Sequence, residues 1–294
     1  MADTILVTGA TGAQGRALSL RLLDQGLPVR AMTRNPDKPV ARELAAAGAD
    51  LVSADLDDEA SLRRACKGAH GVFAVQNFWE KGVGYQGEID QGCRLARAAR
   101  DHDVAHFVQT SVAGCHQAPR VHHFHSKYVI ERYVDELELP RTFLREVFFM
   151  ENFFEPVVGG AGKRAVDPRW TLRMLDGALR EDLALHMVTV DDIGWFAADA
   201  FMNPGAYRDR SLDVASDSLT VDQMKAVYAS VFARKPPRLA LPLALTRRFT
   251  AEMGRQLDWN NRVGWHFDLQ PLRERYPELT SFRQFLLRRR DATQ

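Results

Sequence analysis

Thr4-Ile5-Leu6-Val7-Thr8-Gly9-Ala10-Thr11-Gly12-Ala13-Gln14-Gly15 places three glycines, three residues apart, directly behind a short apolar run. A backbone that turns sharply, approaches a pyrophosphate closely and packs a new helix against a sheet needs glycine at such positions, and helix N-terminal N–H groups meet the anion. The residues that follow suit this reading. Ala17, Leu18, Arg21, Leu22 and Gln25 stand mostly at i, i+4 spacing, which predicts an amphipathic helix ending at Gly26. A glycine run between a strand and such a helix predicts a dinucleotide site, with Gly9, Thr11, Gly12, Gln14 and Gly15 around the phosphates.

Further along, short β-branched or apolar runs alternate with helical patterns, as in βαβ units and a parallel sheet. Strands are expected at 4–8, 29–33, 50–53, 72–75, 106–110 and 142–145, with helices over 59–67, about 85–100 and about 122–138. The alternation stops after Val147. From Asn152 to Arg180 the chain mixes Gly159, Gly160, Gly162 and Pro168 with apolar residues, which predicts a loop-rich stretch over the carboxyl edge of the sheet. A strand at 186–190, a helix at 191–201, a strand near 212–214 and a helix opened by Thr220 with Gln223 in capping-box spacing follow, and the last sixty residues read as helical. Residues 1–151 are therefore expected to form the nucleotide-binding core and 152–294 mainly a smaller, discontinuous α/β lobe, with 186–214 returning to the first sheet.

Composition bounds the function. With 39 Lys+Arg, 38 Asp+Glu and 46% hydrophobic residues, the chain has enough apolar surface for a core and lacks the basic surplus of a direct nucleic-acid binder. From Lys235 onward 12 residues are basic and 6 acidic, but Arg288, Arg289 and Arg290 stand at a helix end, where cations complement the dipole. Cys66, Cys93 and Cys115 are too few and too scattered for a disulfide framework or a zinc motif, and no apolar run suits a signal peptide or a membrane span. The expectation is a cytoplasmic monomer or homodimer without membrane contact.

An Asp or Glu at the end of the second strand would take the ribose hydroxyls of NAD(H). Nineteen residues past Gly15 stands Arg34 instead, with Lys38 close behind. A guanidinium there suits a 2′-phosphate through charge-assisted hydrogen bonds, so NADP(H) is the predicted cofactor. Asp55 and Leu56, after the third strand, fall where the adenine edge would lie.

The motifs GATGAQG at 9–15, TRNP at 33–36, ADLDD at 54–58, VQNFWE at 75–80, LREVFFMENF at 144–153, VDDIG at 190–194 and TSFRQFL at 280–286 resemble those of the NmrA-like family, which are atypical short-chain dehydrogenase/reductases. The resemblance implies a Rossmann-like doubly wound parallel sheet with a smaller C-terminal lobe closing over the nicotinamide. It further implies cofactor contacts at Gln76 and Asn77 and a ligand pocket at Phe78, Phe149, Asn152 and Phe153. Typical short-chain dehydrogenases carry Tyr-x-x-x-Lys on the fourth helix and a serine after the fifth strand. Here the helix reads His123-Phe-His-Ser-Lys127: Lys127 and Ser111 match, while His123 stands in place of the tyrosine. His123 and Lys127, at i and i+4, are expected to face one site.

Two functions follow. One, the favoured reading, is a redox-sensing regulator that answers cofactor state through a small-molecule ligand or a protein partner. The other is an NADPH-dependent reductase of a quinone, enone or dye, in which the proton comes from His123, Lys127 or water, since histidine is a competent general acid near neutrality. Six of the nine histidines lie between His102 and His125, yet no third ligand joins His122-x-x-His125 and no metal site is expected.

Overall fold

The computed structural model describes residues 3–155, 167–235, 240 and 251–292. Its first half alternates strand and helix: β1 (Ile5–Val7), α1 (Ala13–Asp24), β2 (Val29–Thr33), α2 (Pro39–Ala46), β3 (Asp50–Ser53), α3 (Glu59–Cys66), β4 (Gly71–Ala74), α4 (Gly84–Arg100), β5 (His106–Val112), α5 (His122–Glu136) and β6 (Arg141–Glu146). Then come β7 (Phe148–Phe149), α6 (Pro168–Asp176), β8 (Leu185–Val188), α7 (Val190–Met202), α8 (Pro204–Tyr207), β9 (Arg210–Val214), β10 (Asp217–Leu219), α9 (Val221–Phe232), α10 (Ala251–Arg262), α11 (Gln270–Arg275) and α12 (Phe282–Asp291).

The main sheet runs β3-β2-β1-β4-β5-β6-β9, with every neighbouring pair parallel. This is the Rossmann-like doubly wound architecture. Successive strand residues point to opposite faces. Ile5, Val7, Phe73, Val108 and Leu144 pack on one side with Leu18 and Leu22 of α1 and Phe196 of α7. Leu6, Val72, Phe107 and Phe143 pack on the other with Leu62, Leu95 and Ile130 of α3, α4 and α5. Chain order reverses between β1 and β4, and in open α/β sheets ligands bind beyond the carboxyl ends of the strands at such a point.

A second sheet, β10-β8-β7, carries the lobe, whose separate core includes Phe148, Phe153, Leu172, Met187, Met224, Trp259 and Phe282. Asp192 joins it to the main layer. Its carboxylate accepts from Ser216 Oγ at 2.5 Å and from the backbone N–H and hydroxyl of Thr280, both at 3.1 Å. The VDDIG and TSFRQFL motifs thus meet at one buried junction.

Three expectations change. Of 186–214, Arg210–Val214 joins the main sheet, but Leu185–Val188 pairs with β7 and β10 in the small one. Within 152–180, Pro168–Asp176 is a helix, because Asp167 accepts from Arg169 N–H and Pro168 suits its first turn; Gly159, Gly160 and Gly162 lie outside the described residues. The helical reading of the last sixty residues is described for 251–292, where irregular segments at 263–269 and 276–281 separate three helices. The helix at Thr220 forms with its capping box, as Gln223 spacing predicts.

Candidate functional site

At the mouth of the switch point, Gly9 has φ +58°, a left-handed conformation in which any side chain is strained, and an added Cβ would stand 2.7 Å from Val75 Cγ1. A Cβ on Gly15 would meet Gly9 O at 2.4 Å, so α1 starts close to the turn only because Gly15 has no side chain. Gly12 caps α1 with no side-chain acceptor and no acid in the first turn, which leaves a positive helix end. Thr8 fastens the mouth: its hydroxyl donates to Phe73 O at 3.0 Å and accepts from Val75 N–H at 2.9 Å. Thr11 is half-buried beside this turn.

Arg34 stands exposed at the carboxyl end of β2, and Lys38 caps α2 nearby. Arg34 has a partner that sequence reasoning did not assign: Nη2 lies 2.6 Å from Glu80 Oε1, in the turn after β4. That hydrogen bond, with the charges of Glu80, Asp55 and Asp57, raises the guanidinium pKa further. Asp55 holds its own loop, accepting from Asp57 N–H at 3.0 Å, and Leu56 packs against the α3–α5 face of the sheet.

Lys127 is buried, and its Nζ lies 3.0 Å from Glu88 Oε1, 3.5 Å from Gln76 O and 3.5 Å from Gln76 Oε1. Glu88 is fully buried and also accepts from the Ser126 hydroxyl. Across the same floor Gln14 Nε2 donates to Glu146 Oε2 at 3.1 Å. Burial pushes the Glu146 carboxyl up to about 8, against the opposing pull of Lys127 and Gln14, so it is mainly protonated at neutral pH. Among the described residues, Gln14 Oε1, Gln76 Nε2 and Glu146 Oε1 are buried with no hydrogen-bond partner. Orphaned donors and acceptors gathered between a phosphate turn and an ammonium fit a polar ligand such as a ribose and carboxamide. Ser111 is buried at the end of β5 and touches Cys115 Sγ at 3.8 Å. Burial pushes the Cys115 thiol up to about 12, so it is inert. Asn77 turns back on itself, accepting from Trp79 N–H at 3.1 Å.

His123 departs from the expectation that it shares a site with Lys127. Its Nδ1 lies 2.8 Å from Glu252 Oε1 and its Nε2 3.1 Å from Gln256 Oε1, both in α10. With both ring nitrogens engaged by the lobe, His123 is an anchor here, not a free proton donor beside the Lys127 amine. The rings of Phe78 and Trp79 pack on it at 5.6 and 5.1 Å between centroids. Burial would raise the Glu252 carboxyl, but hydrogen bonds from His123 and Arg255 outweigh it and hold it down to about 2.

Phe153 is likewise displaced from its expected role. It is fully buried against Phe148 and Phe282, so among the described residues it belongs to the lobe core. Phe149 and Asn152 are half-buried; Asn152 O accepts from the Thr171 hydroxyl at 3.1 Å, and its buried Oδ1 has no partner among the described residues. His125 Nδ1 bonds the Tyr85 hydroxyl at 2.7 Å, and the described residues hold no group of three metal ligands. No helix among them is long and apolar enough to cross a membrane.

Of the residues missed, Glu146 had a visible signal, a carboxylate at the carboxyl end of a sheet strand, where ligands bind in open α/β folds. Glu80 lies within the quoted VQNFWE motif, whereas nothing local marks Glu88, Glu252 or Gln256.

A family model described as NmrA-like matches residues 1–268. The chain belongs to the NmrA-like family. This NmrA-like chain is 31% identical over 250 residues to the NmrA-like family domain-containing oxidoreductase hkm9 of Aspergillus hancockii, covering 80% of this chain and 74% of that protein. Its fold is similar to that of NmrA, a negative transcriptional regulator solved in complex with NADP (TM-score 0.74, 17% identity, 97% of this chain and 94% of that one). It is also similar to an NADPH-dependent quinone oxidoreductase from Escherichia coli solved with NADPH (TM-score 0.77, 19% identity, 96% and 98%). At those identities the two structures establish the fold of this NmrA-like chain alone.

Proposed function

We propose that this protein binds NADP(H) and uses it as a reductase of a small electron-poor substrate of the quinone or enone class. The observation that carries the reading is the polar floor at the sheet switch point. There the Lys127 ammonium, the Gln76 and Gln14 side chains and the protonated Glu146 surround the outlet of the glycine turn. The bound nicotinamide would supply hydride. Gly9, Gly12 and Gly15 make room for the pyrophosphate, Arg34 and Lys38 attract a 2′-phosphate, and Asp55 and Leu56 border the adenine. Lys127 donates to ribose hydroxyls and keeps a positive charge beside the reacting ring, which favours negative charge growing on a substrate oxygen. With His123 held by α10, Lys127 or water is left as the proton source. The oxidoreductase name of the 31%-identical relative supports this choice.

The sensor reading keeps one specific observation. His123 links Phe78 and Trp79, on the cofactor side, to Glu252 and Gln256 in the lobe, a route by which a ligand in the cleft would reach α10.

The test is loss of reduced-nicotinamide absorbance when NADPH is offered with a panel of quinones, enones and triphenylmethane dyes. Turnover that falls on the order of a hundredfold in Lys127→Ala supports the reductase. Tight NADPH binding with no turnover, together with a cofactor-dependent change in α10, would replace it by the sensor.

A further inference from the structure

Arg34 and Glu80 belong to different strand ends. Arg34 follows β2 and Glu80 follows β4, and these two strands flank β1, from which the glycine turn emerges. The 2.6 Å pair therefore closes a clasp across the adenosine half of the cleft, in front of the turn that would hold the pyrophosphate. Both partners are partly solvated, with 55% and 37% of their side-chain surfaces exposed. A pair of this kind in water is weak and exchanges partners readily.

The charges around the clasp favour exchange. Arg34 faces three carboxylates, Glu80, Asp55 and Asp57, and of these Asp57 is engaged elsewhere, by Arg94 at 2.9 Å and Gln91 at 3.1 Å. Asp55 is committed in part to the Asp57 N–H. Glu80 is the one that touches the guanidinium. A 2′-phosphate brings close to two negative charges and three acceptor oxygens to the same fork, so it outbids a single carboxylate for a bidentate partner. The neutral 2′-hydroxyl of NAD(H) does not.

Resting on the NADP(H)-binding part of the reading above, we propose that Glu80 is a specificity-determining residue for the cofactor's 2′ position. It competes with the 2′-phosphate for Arg34, so that NADP(H) opens the Arg34–Glu80 clasp and NAD(H) leaves it closed. Glu80 thereby weakens the preference for NADP(H) that Arg34 alone would confer. The clasp ends the same short turn that places Phe78 and Trp79 on His123, so its opening loosens the turn nearest the lobe anchor.

The experiment measures Kd for NADPH and NADH by titration of the full chain, in wild type, Glu80→Gln, Arg34→Ala and the double variant. Glu80→Gln is expected to tighten NADPH about three- to tenfold and to change NADH by less than about twofold, as befits removal of one solvated competing charge. The gain shrinks between about 20 mM and about 300 mM salt. In the Arg34→Ala background the gain disappears, because nothing is left to compete for. Weaker or unchanged NADPH binding in Glu80→Gln overturns the proposal. So does a gain of the same size without Arg34, which would mean plain charge repulsion. Glu80→Ala, read with thermal unfolding of each variant, guards against a local change of the turn: equal shifts for both dinucleotides in both Glu80 variants also overturn it. Wild-type protein that binds neither dinucleotide refutes the functional reading itself, a result distinct from any of these.

Discussion

Replacing Glu146 by Gln isolates the cost of a carboxyl buried under the cofactor cleft. Burial pushes this group from the ordinary 4.5 up to about 8, and only 4% of the residue's surface is exposed, so solvent screening reduces the effect little. The folded protein therefore holds a proton that the unfolded chain releases. Stability from this group is complete below the unfolded value of 4.5 and is lost progressively as pH rises to about 8, after which it levels off. At about 1.4 kcal/mol per pH unit, the interval from 4.5 to about 8 amounts to about 3–5 kcal/mol. Gln at this position keeps an acceptor for Gln14 Nε2 and does not titrate. The assay is denaturant or thermal unfolding of wild type and Glu146→Gln from pH 5 to pH 9. The variant should gain on the wild type with each step up to pH 8, by about 3 kcal/mol or more in total, or several degrees in Tm for a chain of this size. Groups common to both proteins, Glu151 among them, cancel in the difference. Parallel curves, with a constant gap between pH 5 and pH 8, would refute the assignment of a neutral buried carboxyl.

Other outcomes follow from the same geometry. Gly15→Ala drives a Cβ to 2.4 Å from Gly9 O, a backbone atom that cannot swing aside, so it should cost about 1–3 kcal/mol of stability and abolish measurable NADPH binding by fluorescence titration. Lys127→Ala strands Glu88 without its cation and should destabilise by about 3–5 kcal/mol in urea unfolding, whereas Lys127→Ala with Glu88→Gln recovers most of the stability without the turnover. Glu252, held down to about 2, contributes stability that is present above 4.5 and lost as pH falls toward 2. Glu252→Gln should therefore remove about 2–3 kcal/mol at pH 7 and flatten the acid limb of the unfolding curve, as followed by tryptophan fluorescence.

The central strands of the main sheet were legible because their apolar runs are short and buried on both faces, as at Ile5–Val7 and His106–Val112. β2 and β3 match their expected limits residue for residue. α2 was missed because Pro39–Ala46 is short and buries only Ala41 and Leu44, too little for a periodic pattern. Partnership was the other gap. Leu185–Val188 reads like any buried strand, and only long-range pairing assigns it to the small sheet. His123 illustrates the same limit: at i and i+4 it shares a helix face with Lys127, yet Glu252 lies 129 residues away in sequence and takes its ring.

What the sequence by itself determined is local: a glycine turn between a strand and a helix, an arginine where a dinucleotide-binding acid would stand, a lysine without its tyrosine. These follow from backbone sterics and from residue chemistry at fixed spacings, which need no distant partner. Tertiary structure alone decided how charges were paired. Arg34 is clasped by Glu80, Lys127 by Glu88 and His123 by Glu252, while burial pushes the Glu146 carboxyl up to about 8. Charge pairing and desolvation depend on what the fold brings within a few ångströms, and the residues that set the electrostatics of this cleft come from strand ends and helices far apart along the chain.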